Sequence, residues 1–319
     1  EVKFLKDFKF TANLSIDNFT TNKIVFQTPI AGDAKDVNGR STKESQRYFV
    51  LNTNQLLSWI HRFNSHNVDV LLGHEVKADN VNYLGARKEQ FYMPGNPELN
   101  NGADIKSASS YKNDYRLEGF FGRVQYDYND KYYLSGSYRR DGSSKFHPDN
   151  RWGFFPTASA SWVLSNESFF KNWDQPILSN VKFRGSVGIL GDDGAIDDYS
   201  YLMKYMYVAR QGYNIGGALK PGIVMDTTNF PNPELKWGQS RTYNLATDLG
   251  FWGNRFGLSF EYYWRYNTNM ITIAPSYLYP PSTGVDSNPP NMNFGEIKAW
   301  GWDLTLSHRN FIQKVKYDL

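Results

Sequence analysis

The sequence predicts an all-β chain, and more narrowly an antiparallel transmembrane β-barrel. Three observations predict it. Apolar residues recur at every second position over long stretches, the connections between those stretches alternate between short and long, and the chain is rich in aromatic residues yet polar on average. Of its 319 residues, 17% are Phe, Trp or Tyr and only 21% are charged, while the mean hydropathy is −0.59. A disordered chain is poor in aromatics, so disorder is excluded. A barrel wall resolves the contrast, because one strand face meets hydrocarbon and the other an aqueous lumen.

The first run sets Phe8, Phe10, Ala12, Leu14 and Ile16 against Lys9, Thr11, Asn13, Ser15 and Asp17, the alternation of a half-buried strand. Next, Phe120, Gly122, Val124, Tyr126 and Tyr128 alternate with Arg123, Gln125 and Asp127, and Tyr132, Leu134, Gly136 and Tyr138 with Ser135, Ser137 and Arg139. Further on come Tyr243, Leu245, Thr247, Leu249 and Phe251, then Phe256, Leu258, Phe260, Tyr262 and Trp264, then Trp300, Trp302, Leu304 and Leu306. The last run is Val315, Tyr317 and Leu319. Roughly ten or eleven strands of about nine to thirteen residues are expected, nearer the ~9–11 of a tilted membrane strand than the ~5–6 of a soluble one. Arg123, Arg184 and Arg265 fall on the lumen side of this scheme.

The connections sort by parity. Asn129-Asp130-Lys131 and Trp252-Gly253-Asn254 are tight turns, and Glu167 to Trp173 reads as a short helix. Long extracellular loops are expected near 79–113, 191–236 and 267–297. Barrels place short turns on the periplasmic rim and long loops outside. Aromatics gather at strand ends: Tyr126, Tyr128, Tyr132 and Tyr133; Trp152, Phe154 and Phe155; Tyr262, Tyr263 and Trp264. These read as interfacial girdles.

Other classes find little support. With no cysteine, a disulfide framework, a thiolate metal site and a cysteine nucleophile are impossible. The 35 basic and 32 acidic residues nearly balance, so no nucleic-acid footprint is expected. The uncharged stretch Tyr266 to Val285 carries Pro275, Pro280 and Pro281 and cannot be a spanning helix. Glu1-Val2-Lys3-Phe4-Leu5-Lys6 lacks the apolar core of a signal peptide; either a signal was removed or the chain is a piece of a longer one. His61, His66, His74, His147 and His308 show no metal-ligand spacing, and Gly185-Ser186-Val187-Gly188 is one residue short of a nucleophile elbow. The acidic stretch Gly191 to Asp198 lacks the spacing of a calcium hand and reads as a solvated loop. No catalytic, metal or cofactor residue is therefore assigned, and no enzyme activity is expected. Tyr201, Tyr205, Tyr207 and Tyr213 offer flat rings to a sugar or peptide or else pack within their loop, and the prolines of Leu278 to Ser282 and Asn288 to Asn291 stiffen another loop or present an extended segment to a partner.

A set of motifs carries a family resemblance. Arg139-Arg140-Asp141-Gly142-Ser143-Ser144-Lys145-Phe146, Asn150-Arg151-Trp152-Gly153 and Phe155-Pro156-Thr157-Ala158-Ser159-Ala160-Ser161-Trp162 follow one another. Phe183 to Gly188, Asn232-Pro233-Glu234-Leu235-Lys236-Trp237, Asn293 to Ile297 and Gly301-Trp302-Asp303 come after them, and Asn67 to Glu75 before. In this order they resemble SusC/RagA-type TonB-dependent outer-membrane transporters over nearly the whole chain. Gly238, and Ala299 with Trp300, depart from that family's usual residues.

The resemblance implies about half of a 22-stranded barrel in the outer membrane of a Gram-negative bacterium, with the plug domain absent from this chain. It implies active import of glycans, oligosaccharides or peptides, a SusD-like surface lipoprotein as partner, and energy from the TonB complex through an N-terminal region missing here. The rival reading is a passive or adhesive all-β surface-binding protein. A soluble sandwich would cover Phe256, Leu258, Phe260, Tyr262 and Trp264 with a second sheet; a barrel leaves them to lipid.

Overall fold

The computed structural model describes residues 1–173, 177–208, 212–220, 222–226, 230–283, 289–312 and 315–318. Strands dominate. In chain order they are β1 (Val2–Phe4), β2 (Phe8–Gln27), β3 (Arg40–Phe63), β4 (His66–Phe91), β5 (Gly102–Tyr128), β6 (Tyr132–Ser143), β7 (Trp152–Val163) and β8 (Leu178–Asp192). Four short strands follow: β9 (Tyr205–Val208), β10 (Asn214–Ile215), β11 (Ala218–Leu219) and β12 (Gly222–Met225). Then come β13 (Gly238–Phe251), β14 (Phe256–Thr268), β15 (Ile271–Ile273), β16 (Asn291–Asn293), β17 (Ile297–Ile312) and β18 (Val315–Asp318). The single α-helical turn among the described residues, α1 (Ser168–Lys171), is shorter than the stretch Glu167 to Trp173 suggests.

Twelve strands hydrogen-bond into one sheet in the order β1-β2-β3-β4-β5-β6-β7-β8-β13-β14-β17-β18. Every pairing with a described register is antiparallel. This is an up-and-down meander, in which each connection need only reach the next strand. The connections 5–7, 64–65, 129–131 and 252–255 are short, whereas 28–39, 92–101, 193–237 and 269–296 are long. Backbone chemistry explains the short ones. Leu5 and Lys6, Asn129 and Asp130, and Trp252, Gly253 and Asn254 all have φ between 48° and 67°. The mirror-image turns that match the right-handed twist of a hairpin require this conformation.

Two expectations need correction. The loop expected near 79–113 narrows to 92–101, because β4 and β5 run on to Phe91 and from Gly102. The strands are also longer than nine to thirteen residues: β2, β3, β4 and β5 have 20, 24, 26 and 27. Crossing a bilayer needs only ~9–11 residues, so the membrane does not set these lengths. Polar alternating sequences such as Lys77 to Glu89 stay in the ladder because each still has a hydrogen-bonded neighbour on both sides.

Packing divides the chain into two compact units. Unit 1 comprises Glu1–Ala12, Gln55–His74 and Glu118–Leu319; unit 2 comprises Asn13–Asn54 and Glu75–Leu117. Unit 2 is stitched by polar cross-strand pairs and by stacked rings, Phe19 with Tyr48 at 4.7 Å and Tyr83 with Tyr111 at 4.9 Å. Its most buried large side chain is Phe91, 1% exposed. Beside it the Glu89 carboxylate is held by Arg40 at 2.8 Å and Arg87 at 3.0 Å. Unit 1 carries the belt, the inner face and the loop roots described next.

Candidate functional site

In unit 1 the pleat sorts side chains by face. Register sets Leu258 opposite Leu306, Phe260 opposite Leu304, Tyr262 opposite Trp302 and Trp264 opposite Trp300. On the other side of β14, Leu249 faces Leu258 and Tyr243 faces Trp264. These large side chains lie uncovered: Trp300 is 69% and Trp302 59% exposed. A soluble sandwich would bury them, at about 1.5–3 kcal/mol each. Lipid is the solvent that this face requires.

One edge of this belt is a continuous run of rings on the short-turn rim. Phe4 stacks on Phe8 at 5.6 Å, Phe8 meets Trp59 at 6.3 Å, and Trp59 stacks on His61 at 5.7 Å. His61 stacks on Phe63, Phe63 on His66 at 5.0 Å, and His66 reaches Tyr128 at 4.8 Å. The run continues through Tyr132 and Trp162 to Phe183, each step 6.4 Å. Polar tips on apolar rings suit headgroup depth, and here they have partners. His61 Nδ1 lies 2.8 Å from Asp7 and His66 Nδ1 lies 2.7 Å from the Tyr126 hydroxyl. Toward the opposite rim His74 stacks on Phe120 at 4.6 Å and Arg140 lies over Trp152 at 5.0 Å.

The girdle clusters expected from sequence need one correction. Tyr133, Phe155 and Tyr263 sit one position out of step and point to the other face. Lys182 lies over the Tyr133 ring at 5.7 Å, Phe155 is buried at 6% exposure, and Tyr263 covers Gly301. Neighbours in a strand cannot share a face, so only alternate members of each cluster belong to the belt.

The opposite face is charged and networked. Arg184 pairs with Asp248 at 3.1 Å and with Glu261 at 3.1 Å, and the Ser259 hydroxyl donates to Asp248 at 2.6 Å. Arg123 reaches Asp69 at 3.7 Å, and Asn67 donates to Asp127 at 2.6 Å. A concavity of about 810 Å³ lined by Asp69, Asp127, Lys182 and Arg184 lies on this side. Arg123 and Arg184 thus occupy the polar face, as the alternation requires, and Arg265 shares the strand parity of Glu261 and Tyr263 on β14.

The sequence motifs converge at the roots of the long loops. Phe146 is fully buried, Leu235 is 1% and Trp237 7% exposed. The Trp237 ring lies 5.2 Å from Phe146 and 5.3 Å from Phe155, and its Nε1 donates to the Arg151 carbonyl at 2.8 Å. Phe155 fits only because two neighbours are glycines: a Cβ on Gly191 would stand 2.0 Å from its ring, and one on Gly153 2.3 Å. The Ser143 hydroxyl donates to Asp193 at 2.6 Å, and Lys145 Nζ donates to the Asp193 carbonyl at 3.1 Å. Asn150 donates to the Pro233 carbonyl at 3.1 Å. The two longest connections are tied to each other as well. Asn232 donates to the Asn291 carbonyl at 2.8 Å, and Asn293 accepts from the Lys236 amide while donating to the Lys236 and Asn269 carbonyls.

This geometry meets an independent finding: residues 3–319 match the family model described as TonB dependent receptor-like, beta-barrel. The chain belongs to that family. It is a section of a TonB-dependent receptor barrel and a multi-pass component of the Gram-negative outer membrane. Among curated relatives, TonB-dependent receptor P3 of Formosa agariphila is 31% identical over 306 residues, covering 95% of this chain and 29% of the relative. TonB-dependent receptor SusC of Bacteroides thetaiotaomicron is 27% identical over 274 residues, covering 85% and 26%. The solved RagAB peptide transporter matches with a TM-score of 0.86 at 20% identity, over 98% of this chain and 33% of that one. The chain therefore spans under a third of the curated relatives that it matches.

Within this TonB-dependent receptor section, the resemblance motifs act as structure. Gly238 is buried at the start of β13 and Trp300 faces outward on β17, so those departures fall on the wall itself. Of the acidic stretch, Asp192 accepts from the Gly194 amide and Asp193 from Ser143, and no group of three or more metal-ligating side chains occurs among the described residues. Tyr205, Tyr207 and Tyr213 are 68%, 77% and 83% exposed, whereas Tyr201 packs edge-on against His147 at 5.8 Å. Asn288 lies outside the described residues.

Sequence reasoning missed the Trp237 cluster as a unit. Its members are separated by up to 91 positions, and only the spacing of bulky residues within polar motifs hinted at burial.

Proposed function

We propose that this chain supplies wall strands and outer loops to a TonB-dependent importer. The importer takes up glycans, oligosaccharides or peptides and works with a SusD-like surface lipoprotein. The observation that carries the reading is the pairing of an apolar belt with loop roots fastened by a buried aromatic cluster. A wall alone suffices for a passive barrel. Fixed roots with exposed Tyr205, Tyr207 and Tyr213 suit loops that must hold cargo or a partner in a defined place. Aromatic faces stack on sugars and on peptide side chains alike, so both cargo classes remain within the proposal. The TonB complex would act through residues outside this chain, and no catalytic step is assigned to any residue within it.

The test uses the whole receptor in its native membrane. Replacing Tyr205 and Tyr207 together with alanine should lower uptake of its glycan or peptide cargo, or co-purification of its surface lipoprotein, with barrel abundance unchanged. Uptake that persists without a TonB complex would overturn active import, and unchanged uptake and capture in the double variant would remove these loops from the site.

A further inference from the structure

The lipid-facing wall is not uniform. On β14 and β17 it is a ridge of Trp, Tyr and Leu, but on β6, β7 and β8 it drops to the backbone. There Gly136 stands opposite Ala158, and Ala160 opposite Gly185. A Cβ on Gly136 would meet nothing within 4 Å. Larger side chains wall the depression, among them Leu134, Val187, Tyr243, Leu245 and Trp264, and the groove holds about 1090 Å³. At its long-loop end stands Arg241, exposed, its side chain without a hydrogen bond or ion pair among the described residues. Register places Arg241 opposite Tyr266 and Tyr266 opposite Lys298, whose ammonium lies 5.8 Å from that ring. Two cations therefore flank one tyrosine, about 10 Å apart at the usual strand spacing.

We propose that this groove binds a phosphate-bearing glycolipid of the outer leaflet, one acyl chain lying in the trough and the headgroup held by Arg241 and Lys298. Apolar burial alone cannot favour such a site, because an acyl chain leaves an equally apolar solvent. Selectivity has to come from shape and charge. A chain in the trough gains dispersion contacts on three sides where a flat wall offers one. The guanidinium supplies paired donors to a phosphate, and the ammonium a point charge. The long-loop rim is the outer one in barrels of this kind, which selects the outer leaflet as the source. Glu296, two residues before Lys298 and just outside β17, is the acidic residue nearest to it in sequence. The proposal rests on the belt lying in lipid and is independent of the import reading.

The whole receptor, purified from outer membranes in mild detergent, should retain about one phosphorylated glycolipid per barrel by native mass spectrometry. Filling the trough with Gly136→Leu and Ala158→Leu should lower that occupancy about tenfold, a loss of about 1.4 kcal/mol, and Arg241→Glu should do so without altering the trough. Thr247→Leu, on the same face outside the groove, should leave it unchanged, and retained heat-modifiability on gels would show that each barrel is folded. Equal retention in all variants, retention of a two-chain phospholipid in place of the glycolipid, or no retained lipid in the unaltered receptor would each overturn the proposal. Cargo uptake plays no part in the readout, so failure here leaves the import reading standing.

Discussion

The two rims of unit 1 are closed by opposite means. At the short-turn rim the chain reverses within three residues, with Asn129 and Asp130 both at positive φ. Below its ring of aromatics the turn itself is fastened by polar ties: Glu167 takes Lys131 at 2.8 Å, the Tyr132 hydroxyl at 2.5 Å and the Trp162 indole at 3.2 Å. At the long-loop rim the closure is apolar, built on Phe146, Phe155, Leu235 and Trp237. The difference follows from length. A three-residue turn has no side chains to spare for a core and needs only its polar groups matched. A connection such as 193–237 would be loose at its base without buried surface, because closing it costs entropy that grows with length. The loops proposed to hold cargo stand at the end where that cost is offset by packing.

The sharpest way to break this contrast is to remove the indole. Trp237→Ala deletes a buried ring and the hydrogen bond to Arg151. Large-to-small changes of this kind cost roughly 3–5 kcal/mol. Hydrogen exchange on the whole receptor should show faster exchange through 193–237 and at Phe146, with the 129–131 turn unchanged. If protection fell equally at both rims, the rims would not be separate structures.

Next in size is Gly191→Ala. Its new Cβ would lie 2.0 Å from the Phe155 ring, and overpacking costs roughly 1–3 kcal/mol. Phe155→Leu in the same chain should recover part of that loss, because the two changes share one space. Additive losses would refute direct contact. Asn293→Ala should do less, about 1 kcal/mol in all, because its three hydrogen bonds are solvent-exposed and water replaces the lost partner. Its effect should show as exchange in 269–296 and 232–237 together, since that side chain joins the two connections.

Much of the wall was legible in the sequence. The period of two places Leu258, Phe260, Tyr262 and Trp264 on one face, and the structure keeps them there. Asn129-Asp130 and Trp252-Gly253-Asn254 announce tight turns because Asn, Asp and Gly tolerate positive φ. The excess length of β4 and β5 was not legible, since polar alternation at Lys77 to Glu89 reads equally as loop until a neighbouring strand pairs it. Composition also misplaced Tyr133, Phe155 and Tyr263, because clustering ignores parity. The loop-root cluster joins Phe146, Leu235 and Trp237 from distant positions, and no local pattern encodes such a meeting.

The smallest expected effect concerns pH and, of these two rims, belongs to the polar one. Lys131 beside Glu167, with the Tyr132 hydroxyl and Trp162 indole, lowers its carboxyl from 4.5 to about 2. A depressed carboxyl contributes stability that is fully present above the unfolded value and is lost as pH falls through the folded one. The window is therefore pH 4.5 down to about 2. Lys131 moves the other way, raised by the same hydrogen bond, so its share is lost only in strong alkali. Acidifying the receptor from pH 5 to pH 2 should lower the protection factors, taken relative to intrinsic exchange at each pH, at 129–131 and 164–167 and leave those of the Trp237 cluster unchanged. Glu167→Gln should show the loosened turn already at pH 5 and add little on acidification. A pH response centred on the loop roots would mean that the charge sits at the wrong rim.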